Sequence, residues 1–144
     1  MNVPGITGID HVGIAVADLD EALAFYDRVF GMTCVHVETN ESQGVREAML
    51  QVGADPAGPR LQLLAPLTPG SPIGKFLDKR GPGIQQIAYA VTDVRAAAAA
   101  LGERGVRMLY AEPRTGTAGS LVNFVHPKDA GGVLVELVEP VSAR

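Results

Sequence analysis

Ile9-Asp10-His11-Val12-Gly13-Ile14-Ala15-Val16-Ala17-Asp18-Leu19 reads as a strand entering a helix, and a second stretch of the chain repeats it. Residues 8–16 alternate and are rich in β-branched side chains, the period-two pattern of a strand. Asp18 then opens a helical stripe of Leu19, Leu23, Tyr26 and Phe30. Glu21 stands three positions after Asp18, the spacing of a capping box, and Gly31 suits the left-handed residue that closes a helix. Residues 35–38, 47–52 and 60–64 read as three further strands, parted by a polar loop and a proline-bounded turn at 56–59. The order then restarts, with a strand at 84–91 and an alanine-rich helix from Asp93 through Leu101. Setting Val16-Ala17-Asp18-Leu19 on Val91-Thr92-Asp93-Val94 places His11 opposite Gln86, 75 positions on. Gln62-Leu63-Leu64-Ala65-Pro66 falls on Glu136-Leu137-Val138-Glu139-Pro140, 74 positions on. A register kept to within one residue over a whole module marks a tandem duplication.

The expected architecture is α+β, two βαβββ modules at about 6–66 and 84–140 within a single domain spanning 1–144. Residues 67–83 join them, with about one helical turn near 73–77. At 144 residues the chain is long enough to bury a core and too short for two independent domains. With 12 basic and 16 acidic residues and no basic run, it gives no support to a nucleic-acid partner. The longest apolar runs are strand-sized, and no basic segment leads into an apolar one at the N-terminus, so neither a membrane partner nor a secretory signal is expected. A cytoplasmic location follows as the expectation. The single cysteine, Cys34, cannot form an internal disulfide and is expected to be a packed residue.

In the first strand His11 shares a face with Gly13 and Ala15, whereas Val12, Ile14 and Val16 share the other. The β-branched face calls for a helix against it. The His11 face carries small residues that leave room beside the imidazole. The second copy repeats the scheme with Gln86, Ala88 and Ala90. Both module-ending strands set one polar residue in an apolar run, Gln62 in the first and Glu136 in the second. A carboxylate in such a run must be solvated, paired or bound to a cation. Four polar intrusions at paired repeat positions are what a metal shared between two halves requires. Glu47, after a polar loop, reads either as a solvated strand end or as a fifth functional residue. His36 and His126 carry no assigned role.

Over nearly its full length the chain resembles the vicinal-oxygen-chelate (glyoxalase/bleomycin-resistance) superfamily and, within it, the methylmalonyl-CoA epimerases. The resemblance rests on residues 9–16, 41–50 and 61–64, on His126-Pro127-Lys128-Asp129, and on residues 132–138. It implies a curved mixed sheet around a central cleft and interconversion of (2R)- and (2S)-methylmalonyl-CoA by two-base proton transfer through a metal-stabilised enolate. It further implies metal ligation by His11, Gln62, Gln86 and Glu136, with Glu47 and Glu136 as the proton-transfer pair, an acyl-CoA substrate and a homodimer. This chain has Gln85-Gln86 where the family carries His-His, so Gln86 stands in for a ligand histidine. One imidazole, two amides and one carboxylate suit Co²⁺ or Mn²⁺, with Mg²⁺, Ni²⁺ and Zn²⁺ as further candidates. Lys75, Lys79 and Arg80 offer phosphate-binding charge for CoA in the connector. Two other readings are a glyoxalase-like isomerase, against which Glu47 argues, and a metal-poor binding protein, against which the absence of Trp and 5% aromatic content argue.

Overall fold

The computed structural model describes residues 5–143. Its elements follow the duplicated order. Strand β1 (Ile6–Ala15), helix α1 (Leu19–Phe30) and strands β2 (Thr33–Asn40), β3 (Val45–Gln51) and β4 (Arg60–Pro66) come first. Helix α2 (Pro72–Arg80) follows, then β5 (Gly83–Val91), α3 (Val94–Glu103), β6 (Arg114–Thr115), β7 (Leu121–Val125) and β8 (Val135–Glu139). This is the α+β, βαβββ-repeat fold expected from the sequence. The chain separates into two compact units, His11–Gln85 and, within the described residues, 5–10 with 86–143.

In the unit His11–Gln85 the strand order is β2-β3-β4-β1, with β1 parallel to β4 and the other pairs antiparallel. Asp18 caps α1 as its spacing predicts, its carboxylate accepting from the Glu21 N–H at 3.0 Å, and Gly31 closes the helix at φ 64°. Leu19, Ala22, Leu23 and Tyr26 of α1 pack on Ile14, Ala48, Leu50, Leu63 and Ala65, so the β-branched face of β1 meets its helix. Phe30 departs from the expected stripe. It is 58% exposed and joins Phe25 and Tyr26 in an aromatic cluster near the helix end. Cys34 also departs from expectation, because it lies exposed on β2 beside an irregularity in the β2–β3 register.

The connector holds more helix than the single turn anticipated. Ser71 caps α2 by accepting from the Gly74 N–H at 3.1 Å, Pro72 fills the first turn where no N–H is needed, and Gly81 ends it. Ile73, Phe76 and Leu77 then pack on Ala15, Val45 and Leu64, burying one end of the sheet face opposite α1.

In the other unit the order is β5-β8-β7-β6, again with one parallel pair, β5–β8. Val94, Ala97 and Leu101 of α3 pack on Tyr89, Val91, Val135 and Leu137. Buried Glu139 accepts from the Val94 N–H at 3.1 Å, fixing the start of α3 to the end of β8. Among the described residues no helix is long and apolar enough to cross a membrane.

Candidate active site

Strand register decides which side chains share a face. In the unit His11–Gln85, Gly13 of β1 pairs with Gln62 of β4, Gln62 pairs with Met49 of β3, and Glu47 pairs with Leu64. Side chains alternate along each strand, so His11, Gln62 and Glu47 all project from the face opposite α1. All three are buried, at 2%, 3% and 4% exposure. Gln62 donates from Nε2 to Glu47 Oε2 at 3.1 Å, a bond between buried groups. The sequence leaves Glu47 between a solvated strand end and a functional position; the first of these is excluded.

In the other unit Ala88 pairs with Glu136, and Glu136 with Phe124. Gln86, two positions before Ala88, therefore shares the Glu136 face. Gln86 is 6% exposed and Glu136 7%. Gln86 donates from Nε2 to Glu136 Oε1 at 2.9 Å. Ala88, Val122 and Val138 pack with Phe124 on the same face, so the pair sits beside an apolar wall.

Each unit thus buries one amide–carboxylate pair. An ionised carboxylate only accepts hydrogen bonds, so the amide must meet it through nitrogen. Those bonds engage the atom of each glutamine that cannot ligate a cation, not the carbonyl oxygen that can. Among the described residues no group of three or more His, Cys, Asp or Glu side chains is spaced to hold a metal.

His36 carries no role on sequence grounds, yet it belongs to this face. It pairs with Met49, and Glu38 pairs with Glu47, so both project beside the buried base candidate. His36 Nε2 lies 2.6 Å from Glu38 Oε1. The signal that could have found the pair is its i, i+2 spacing on a strand antiparallel to the one carrying Glu47. His126, by contrast, accepts from the Lys128 N–H in a short turn, a local structural bond. Lys75, Lys79 and Arg80 are exposed on α2, with the Arg80 guanidinium 5.8 Å from the centre of the Phe76 ring.

Residues 10–124 match the family model of the Glyoxalase/Bleomycin resistance protein/Dioxygenase superfamily. The crystal structure of methylmalonyl-CoA epimerase from Mycobacterium tuberculosis is 55% identical, with a TM-score of 0.92 over 98% of this chain and 93% of that one. A variant of the Streptomyces coelicolor methylmalonyl-CoA epimerase, solved in complex with 2-nitronate-propionyl-CoA, is 48% identical, with a TM-score of 0.90 over 94% of this chain and 99% of that one. The ethylmalonyl-CoA/methylmalonyl-CoA epimerase of Cereibacter sphaeroides is 40% identical over 131 residues, 90% of this chain and 95% of that protein. With similarity of this depth over nearly the whole length, the chain belongs to the glyoxalase/bleomycin-resistance superfamily and, within it, to the methylmalonyl-CoA epimerase family.

Proposed function

We propose that this chain is an isomerase that interconverts (2R)- and (2S)-methylmalonyl-CoA by moving one proton off C2 and returning one to the opposite face. The observation that carries the reading is Glu47, a buried carboxylate on a face lined by polar groups, held at one oxygen by Gln62, in a chain whose relatives are named epimerases. C2 of the substrate lies between a thioester carbonyl and a carboxylate, so its proton is weakly acidic. Glu47 takes that proton, and the C–H electron pair passes into the thioester carbonyl as an enolate. Glu136 in its acid form delivers a proton to the other face, and the reverse reaction exchanges the two roles. Positioned acid and base groups of this kind contribute about 10²- to 10⁴-fold each.

As the family resemblance implies, the residues that would hold a divalent ion are His11, Gln62, Gln86 and Glu136, each of them buried. One imidazole nitrogen and three oxygen donors suit Co²⁺ or Mn²⁺. When bound, such an ion supplies Lewis-acid stabilisation of the negative charge that develops on the enolate. Gln62 has a double part in this reading, since its nitrogen donates to Glu47 while an amide ligates a cation through its oxygen. For the CoA end, Lys75 lines a recess of about 690 Å³ together with Leu67, Thr68 and Leu77. Its ammonium supplies charge for phosphate there, and Lys79 and Arg80 stand exposed further along the same helix. The family resemblance further favours a homodimer, which light scattering on the eluted protein tests.

Deuterium uptake decides the reaction. Methylmalonyl-CoA is incubated in D₂O with protein loaded with Co²⁺ or Mn²⁺, quenched, and read by mass spectrometry at C2. Exchange well above the buffer rate is expected. Exchange at the buffer rate with either metal would retire the epimerase reading.

A further inference from the structure

A second acidic residue stands opposite the proposed base. The antiparallel register pairs Glu38 of β2 with Glu47 of β3. Residues facing one another across such a ladder share a face with Cβ atoms about 4.5–5.5 Å apart, and like charges there repel. Left to itself, Glu38 would also compete for the donor that orients Glu47. Instead the two carboxylates are drawn to different neighbours. Glu38 Oε1 lies along its own strand against His36 Nε2 at 2.6 Å, and Glu47 Oε2 accepts across the sheet from Gln62 at 3.1 Å.

We propose that His36 is a positioning residue for proton transfer, acting through Glu38 to keep Glu47 on Gln62 and aimed at the substrate. The inference rests on the reading of Glu47 as the base. His36 needs only an Nε2–H to hold Glu38, and an imidazolium would serve equally. Exposure separates this role from one in core packing. The His36 and Glu38 side chains are 39% and 29% exposed, so changing either leaves the buried clusters under α1 and α2 intact. A part-exposed ion pair with no further role contributes about 0–1 kcal/mol to stability and nothing to turnover, which is the alternative to be beaten.

The test is a double-mutant cycle on the metal-loaded enzyme, with kcat, KM and thermal midpoint read for His36→Leu, Glu38→Gln, the double variant and His36→Gln. His36→Leu should lower kcat by about 10- to 100-fold with KM little changed, the effect of a displaced reacting group. His36→Gln should recover most of that loss, because its amide can still donate to Glu38. The double variant should return close to the wild-type kcat, because the competing charge is gone. All midpoints should agree to within about 2 °C. The proposal is overturned if His36→Leu keeps its kcat, if the double variant stays as slow as His36→Leu, or if lost activity tracks a lowered midpoint. A crystal structure of His36→Leu in which Glu47 still accepts from Gln62 also overturns it. Were the wild-type enzyme to show no turnover, the proposed function would fall, and that crystallographic result would alone decide the positioning.

Discussion

Replacing Glu47 by Gln separates the charge of the proposed base from its shape, and the structure gives opposite signs for its effects on stability and on activity. At 4% exposure the carboxylate has given up nearly all its hydration, a penalty of roughly several kcal/mol for a buried ion. The charge-assisted bond from Gln62 returns about 1.5–3 kcal/mol of this. An amide at the same place keeps a neutral bond to Gln62 worth about 0.5–1.5 kcal/mol and carries a smaller desolvation cost, about 1–3 kcal/mol. The difference favours Glu47→Gln by on the order of 1 kcal/mol, which for a chain of this size raises the midpoint by about 2–4 °C. Turnover should fall about 10²- to 10⁴-fold, since an amide cannot accept the C2 proton. Calorimetry must be run with chelator on both proteins, because a bound ion raises the midpoint by mass action and would mask the effect. Deuterium uptake at C2 is measured on the same preparations after metal loading. A midpoint lowered by more than about 2 °C would make Glu47 a structural residue, and exchange preserved within tenfold would remove it as the base.

Three further outcomes are expected. Gln86→His restores the imidazole usual in the family and should tighten Co²⁺ binding by on the order of tenfold in titration calorimetry; unchanged affinity would mean that Gln86 is not a ligand. Gly44→Ala forces a side chain into a left-handed backbone at φ 70°, with its Cβ 2.9 Å from that of Ser71, the residue that caps α2. It should lose about 1–3 kcal/mol in urea denaturation, and a loss below about 0.5 kcal/mol would show that the β2–β3 turn relaxes without strain. Asp129 accepts from the Arg107 side chain and backbone, which hold its carboxyl below the ordinary carboxylate range. A depressed folded-state value stabilises above the unfolded value and is lost as pH falls through the folded one. Asp129→Asn should therefore flatten the acid limb of stability below about pH 4, and an identical limb would refute the coupling.

The sequence made the fold legible because two strong local signals coincided. Asp18 and Asp93 both cap helices after β-branched strands, and the 74- to 75-residue register repeats both module ends. What it hid was decided by neighbours that a one-dimensional pattern does not name. Phe30 fits the period of the α1 stripe, but as the last residue of the helix it is exposed and packs its ring against Phe25 and Tyr26. The length of α2 depended on Ser71 and Pro72, capping residues inside a segment whose glycines and prolines look like plain loop. The short strand β6 has two residues, too few for any period. At the site, polar residues in apolar strands marked Gln62, Gln86 and Glu136 as unusual. Their pairing could not be read from sequence, because Glu47 sits on a neighbouring strand whose register sets its partner.

That register also shows where the duplication stopped being symmetric. Glu47 pairs with Leu64, the repeat counterpart of Leu64 is Val138, and Val138 pairs with Val122. Val122 therefore occupies in the second module the place that Glu47 holds in the first, and it is packed with Ala88, Val138 and Phe124. The second module supplies its carboxylate from the counterpart of Gln62 instead, as Glu136, and its amide from the counterpart of His11, as Gln86. Each half thus keeps one buried amide–carboxylate bond, but on different strand pairs, β3–β4 in one and β5–β8 in the other. Moving one carboxylate by a strand gives the two acids different surroundings: Glu47 accepts from Gln62 of β4 with Leu64 opposite it on the ladder, whereas Glu136 accepts from Gln86 of β5 with Ala88 and Phe124 opposite it.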